Sequence, residues 1–138
     1  MNKYKKIIIF YPAYENGGAT KILLNLTNFF LKNKIKIDIL SLKAKHKNFQ
    51  NNKNLKIFNV EKKHQKFLYK NRFISNFFSI FIFIKLLKKN KSDETIIFSM
   101  QSHLISTIIG KLFNYRVFVR NSEDPFGATK YADNKIVG

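Results

Sequence analysis

Cysteine is absent from the 138 residues, which excludes disulfides and any metal centre built on thiolates and suits a reducing compartment. Acidic residues are scarce, with eight Asp and Glu against 26 Lys and Arg, for a net charge of +18. A phospho-acceptor site needs clustered acids behind its first strand, and only Glu15 stands there. No HxH, HExxH or carboxylate cluster occurs, His46 and His64 fall in basic loops without a neighbouring acid, and no metal site is expected. Arginine is rarer still, limited to Arg72, Arg116 and Arg120. Nucleic-acid readers depend on the arginine fork for bidentate contacts, so nucleic-acid binding is disfavoured despite the charge. An anionic lipid surface, where point charges suffice, suits a lysine-rich chain better. Lys, Asn, Ile and Phe also share AT-rich codons, and that bias alone accounts for much of the basic balance.

Long apolar runs are missing too. Residues 7–11 are too short for a secretory leader and run into a turn without a small-residue cleavage site, so no leader is expected. The most hydrophobic segment, residues 72–87, is interrupted by Ser75, Asn76 and Ser79, which make one polar stripe, and by Lys85. A membrane span wants about 18 or more apolar residues with few interruptions. The expected reading is a crossover helix packed on a sheet. A helix lying on a membrane, aromatic face down and lysines near headgroups, is the second reading, and a true span the third.

What is present alternates short β-rich runs with amphipathic stretches, the pattern of an α/β domain with a parallel sheet and crossover helices. Strands are expected at residues 6–11, 35–42, 55–60, 95–99 and 116–120. Helices are expected at 19–33, with Ile22, Leu23, Leu26, Phe29 and Phe30 on one face, and at 72–87 and 104–113. Ser102 is the expected N-cap of the last helix. The first strand is a continuous apolar run, as burial on both faces requires. The second, Ile-Lys-Ile-Asp-Ile-Leu, alternates and is expected to have one less covered face. Polar residues follow strand ends three times: after Tyr11, after Ser99 and after Val119. In open parallel sheets these carboxyl ends share one edge, so the three clusters should meet in one crevice.

Three groups carry chemistry in that crevice. Asn16-Gly17-Gly18 opens the first helix, whose free N–H groups favour phosphate. The loop has neither the GxGxxG nor the GxxxxGK[ST] spacing, which disfavours hydride transfer and ATP hydrolysis. Ser102 and His103 follow the fourth strand, and Arg120-Asn121-Ser122-Glu123-Asp124-Pro125 follows the fifth. A guanidinium with carboxylates suits hydroxyl-rich or phosphorylated ligands.

Together these segments resemble the amino-terminal domain of family-4 retaining glycosyltransferases of the GT-B fold. The resemblance rests on the Tyr11-Pro12-Ala13-Tyr14-Glu15-Asn16-Gly17-Gly18-Ala19-Thr20 loop, the Leu23-Leu24-Asn25-Leu26 helix and the Ile37-Asp38-Ile39-Leu40-Ser41 strand. It extends to the loops at Ser99–His103 and Val119–Pro125, and so covers nearly the whole chain. It implies a Rossmann-like first domain over residues 1–138, incomplete at its C-terminus, with the donor-binding C-terminal domain absent. The implied reaction moves a sugar from a nucleotide-sugar donor to a glycan or lipid-linked acceptor with retention of configuration. Gly17 and Gly18 would approach the donor diphosphate and His103 the transferred sugar. Asn16, Ser102, Arg120, Asn121 and Glu123 would shape the sugar or acceptor side. No metal or other cofactor is implied, and the expected location is cytoplasmic, peripheral at the inner face of the plasma membrane. Thr20 departs from the acidic residue common in the family after the Gly-Gly-Ala run. Without the second domain, held on the same chain or a separate one, the chain alone is expected to be inactive. The alternative is a non-catalytic basic module that binds a membrane surface or a partner and retains only the fold.

Overall fold

A computed structural model describes residues 4–12, 18–42, 52–60 and 72–120, and the sequence positions Asn16, Gly17, Asn121 and Glu123 lie outside them. The chain order is β1 (Lys6–Tyr11), α1 (Gly18–Lys32), β2 (Lys36–Ser41), β3 (Leu55–Asn59), α2 (Arg72–Lys89), β4 (Thr95–Ser99), α3 (His103–Leu112) and β5 (Arg116–Val119). The five strands form one open sheet in the order β3-β2-β1-β4-β5, every pair parallel. This is the Rossmann-like α/β architecture expected, and the strand order reverses direction between β1 and β4.

Apolar alternation along the central strands builds a core on each face. Ile7, Ile9 and Tyr11 join Leu23 of α1, Ile37 and Ile39 on one side. Ile8 and Phe10 join Leu40, Ile97, Phe83 and Leu87 of α2 and Ile109 of α3 on the other. The molecule is therefore a three-layer sandwich, with α1 on one face and α2 and α3 on the opposite face. Phe10 of β1 stacks on Phe83 of α2 with ring centroids 4.5 Å apart, an arrangement that stabilises beyond the area it buries.

Three local expectations are corrected. Strand β2 lies between β1 and β3, and from Ile37 to Ser41 every residue is buried, so neither face is open. Asp38 tolerates this because the Lys6 ammonium lies 2.6 Å from its carboxylate, and a buried charge needs such a partner. In α1 the inward residues are Thr20, Leu23 and Thr27, while Phe29 is 60% exposed. The larger inversion is in α2, where Ser75 and Ser79 are buried and Phe77 and Phe81 stand 69% and 61% exposed. The Ser79 hydroxyl donates to the Ser75 carbonyl at 2.8 Å. That bond satisfies it within the helix and lets two small residues turn toward the sheet. No described helix is long and apolar enough to cross a membrane.

Helices α1 and α3 end alike. Ile35 N–H donates to the Phe30 carbonyl and Lys34 N–H to the Leu31 carbonyl; Tyr115 and Asn114 repeat the pattern on Gly110 and Lys111. This is the Schellman arrangement, and it puts Lys34 and Asn114 at φ 60° and 58°, where glycine is the usual occupant. Gly110 serves a different purpose. A Cβ there would meet Val117 Cγ2 and lie 3.1 Å from Ile97 Cδ1, so its absence lets α3 close on β4 and β5.

Candidate functional site

The parallel register aligns the carboxyl ends of β1, β4 and β5, and backbone bonds continue past the strands. Met100 N–H donates to the Phe10 carbonyl at 2.9 Å, and Arg120 N–H to the Ser99 carbonyl at 3.0 Å. Ser102, His103 and Arg120 are thereby gathered around the end of β4, beside the switch between β1 and β4. Gly18 opens α1 directly behind β1.

Ser99 is the hub of this edge, and it is fully buried. Its Oγ lies 2.9 Å from the Gln101 carbonyl, 3.1 Å from His103 Nδ1 and 2.8 Å from Ser106 Oγ. A carbonyl only accepts, so the arrangement that uses the most contacts with the three available protons has Ser99 donating to Gln101 and accepting from its other partners. His103 Nδ1 then carries the proton and donates to Ser99, and Nε2 remains as the basic nitrogen. Ser106, also fully buried, has its one hydroxyl proton within reach of two acceptors on the far side, Ser99 Oγ and the His103 carbonyl at 3.0 Å. The imidazole is thus oriented from β4 and from one turn along α3. Neither Ser99 nor Ser106 stood out in the sequence; their signal is a strand-terminal serine with a histidine four residues on and a second serine three residues beyond it.

Ser102 occupies the N-cap of α3 but does not cap it in the expected way. Its backbone is left-handed, at φ 54° and ψ 46°, and its side chain makes no capping bond. A non-glycine residue there costs about 1–2 kcal/mol, and such strain concentrates at functional loops. Arg120 adds the second unusual feature. Among the described residues its Nη1 is buried without a hydrogen-bond partner, although a buried unpaired donor costs about 1–3 kcal/mol. An acceptor arriving beside it recovers that cost.

Gly18 is exposed at the start of α1, and nothing lies within 4 Å of the position a Cβ would take. Its value is the open approach it leaves over the helix amino terminus rather than an unusual backbone, since no described glycine has positive φ. Among the described residues no three His, Asp or Glu side chains gather where they could hold a metal ion. The edge can bind a hydroxyl-rich or anionic ligand, accept a hydrogen bond at His103 Nε2 and donate one from Arg120. A scan of protein-family models and a search of curated proteins find no match to this chain.

Proposed function

We propose that the chain is the acceptor-side domain of a retaining glycosyltransferase, binding a sugar-containing ligand at the carboxyl edge of its sheet. The observation that carries the reading is the pairing of an oriented imidazole at His103 with the buried, unpartnered Nη1 of Arg120. A hydroxyl can donate to the first, and a phosphate or sugar oxygen can accept from the second. The amino terminus of α1 supplies free N–H groups for a diphosphate, and the strand order puts the crevice where ligands enter open α/β sheets. The sequence resemblance supplies the reaction class, in which Gly17 and Gly18 serve the donor phosphates and Asn16, Asn121 and Glu123 the sugar or acceptor. The proposed donor is a nucleotide-sugar, with no metal required, and the proposed setting is the cytoplasmic face of the plasma membrane. Transfer then requires a donor-binding domain, so co-expression with a Rossmann domain carrying paired glutamates should yield nucleotide-sugar hydrolysis or transfer.

The direct test is nuclear magnetic resonance of the chain titrated with a panel of nucleotide-sugars and a lipid-linked sugar acceptor. The His103 imidazole should shift saturably with at least one of them, and Arg120→Met should weaken that binding about tenfold. A panel that leaves His103 unmoved would sink the reading.

One observation favours the alternative of a membrane-surface module. Phe77 and Phe81 point outward from α2 with Lys85 on the same helical stripe, as in a helix resting on an anionic interface. Salt-sensitive sedimentation with anionic vesicles, abolished in Phe77→Ser/Phe81→Ser, is the expected result for that module.

A further inference from the structure

A second cleft lies toward the amino edge of the sheet, away from His103 and Arg120. Its volume is about 410 Å³, within the range of small-molecule sites. Four lysines from three elements line it: Lys6 of β1, Lys56 of β3, and Lys85 and Lys89 of α2. The topology brings them together. A crossover helix runs antiparallel to its strands, so the last turns of α2 return over the strand beginnings. The register sets Asp38 of β2 between Ile8 and Lys56, on the face that α2 covers.

Charge in the cleft does not balance. Asp38, its one acid, is already neutralised by Lys6 at 2.6 Å. Among the described residues, Lys56, Lys85 and Lys89 form no ion pair. The carboxyl end of α2 offsets about half a charge, well short of three ammonium groups. The ordinary account of exposed lysines, with stems laid on apolar surface and heads in water, leaves their convergence on one concavity unexplained. The same elements add apolar lining, Phe58 from β3 and Ile82 and Leu86 from α2.

We propose that this cleft binds a phosphorylated ligand, with the phosphate among Lys56, Lys85 and Lys89 and an apolar portion against Phe58, Ile82 and Leu86. Phosphate fits better than a carboxylate. A compact dianion with several acceptor oxygens can take donors from three separately rooted point charges, whereas carboxylates favour the planar arginine fork. The phosphate can belong to a free metabolite or to a lipid headgroup.

The test titrates the full chain with pyrophosphate by calorimetry and, in a second arm, with phosphatidylcholine vesicles with and without phosphatidic acid. Saturable binding in the first arm assigns a soluble ligand. Binding only to vesicles containing phosphatidic acid assigns a headgroup. Lys85→Ala/Lys89→Ala should weaken whichever binding is seen at least tenfold. The charge-matched control, Lys32→Ala/Lys111→Ala, also removes two exposed lysines from last helical turns and should stay within about twofold. Because all four side chains are exposed, circular-dichroism melts of both variants should match the parent. Equal weakening in the two variants, binding that survives Lys85→Ala/Lys89→Ala, or no binding in either arm would each overturn the proposal.

Discussion

Single side chains in this protein do work that their residue types do not announce. Tyr115 is buried just after α3, and its hydroxyl lies 2.8 Å from the Leu87 carbonyl and 2.7 Å from the Asn90 carbonyl. It joins the entry to β5 to the end of α2, where the Leu87 carbonyl also accepts from Asn90 N–H. Burial pushes the phenol above its ordinary value of 10.0, and the charge of Asp93 adds to that. An acid with a raised folded pKa binds its proton more tightly when folded. Its contribution is complete below the unfolded value and is lost as pH rises through the folded one. Unfolding free energy should therefore fall above about pH 10, with Tyr115→Phe removing part of that dependence. At neutral pH the same substitution should cost about 1 kcal/mol through the lost hydrogen bond. Parallel urea titrations of the two proteins at neutral and alkaline pH measure both effects. Ser99 is a comparable case, since a strand-end serine reads as a polar terminus until its three partners fix a histidine.

At the scale of elements, α2 is the least conventional. Its serines face the sheet and two of its phenylalanines face out, the reverse of the segregation that polarity alone dictates. What decides is the space above the sheet. Phe83 fills the position over Phe10, and the two turns before it meet the sheet through the small side chains of Ser75 and Ser79. Phe83→Ala should cost about 3–5 kcal/mol in chemical denaturation, whereas Phe81→Ser should stay within about 0.5 kcal/mol. Comparable losses in the two variants would mean that the outward ring is covered. Helix α3 shows a related pattern, with Leu104, Ile108 and Leu112 exposed along one stripe, and Phe118 and Val119 of β5 are exposed as well. Edge β5 thus presents apolar surface.

Over the whole molecule, the sheet separates two cores that share only its strands. Ile37 belongs to the α1 side and Ile97 to the α2 and α3 side, and β1 stands between their strands. Neighbouring strands are about 4.8 Å apart, so the two side chains are well separated and point oppositely. Ile37→Val and Ile97→Val should each cost about 0.5–1.5 kcal/mol. The double variant should equal their sum within about 0.5 kcal/mol. A larger departure in equilibrium unfolding would show that strain passes through the sheet from one core to the other. The two candidate sites divide along the strands instead, with His103 and Arg120 at the carboxyl edge and the lysine cleft toward the amino edge.

By itself the sequence determined the alternation of strands and helices, the parallel sheet and the edge on which His103 and Arg120 meet. These follow from local periodicity and from the rule that parallel crossovers carry all carboxyl ends to one side. Strand β1 matches its expected bounds, and β4 does as well; continuous apolar runs between turns are hard to misread. Only the tertiary structure decided which face each residue serves. Asp38 read as a solvent residue because alternation cannot anticipate an ammonium arriving from the neighbouring strand. Ser75 and Ser79 read only as part of a polar stripe, because hydropathy does not measure how closely a helix must approach a sheet. Ser99, Ser106 and the lysines of the cleft have meaning only through neighbours distant in the chain, since hydrogen bonding and charge balance are properties of positions in space.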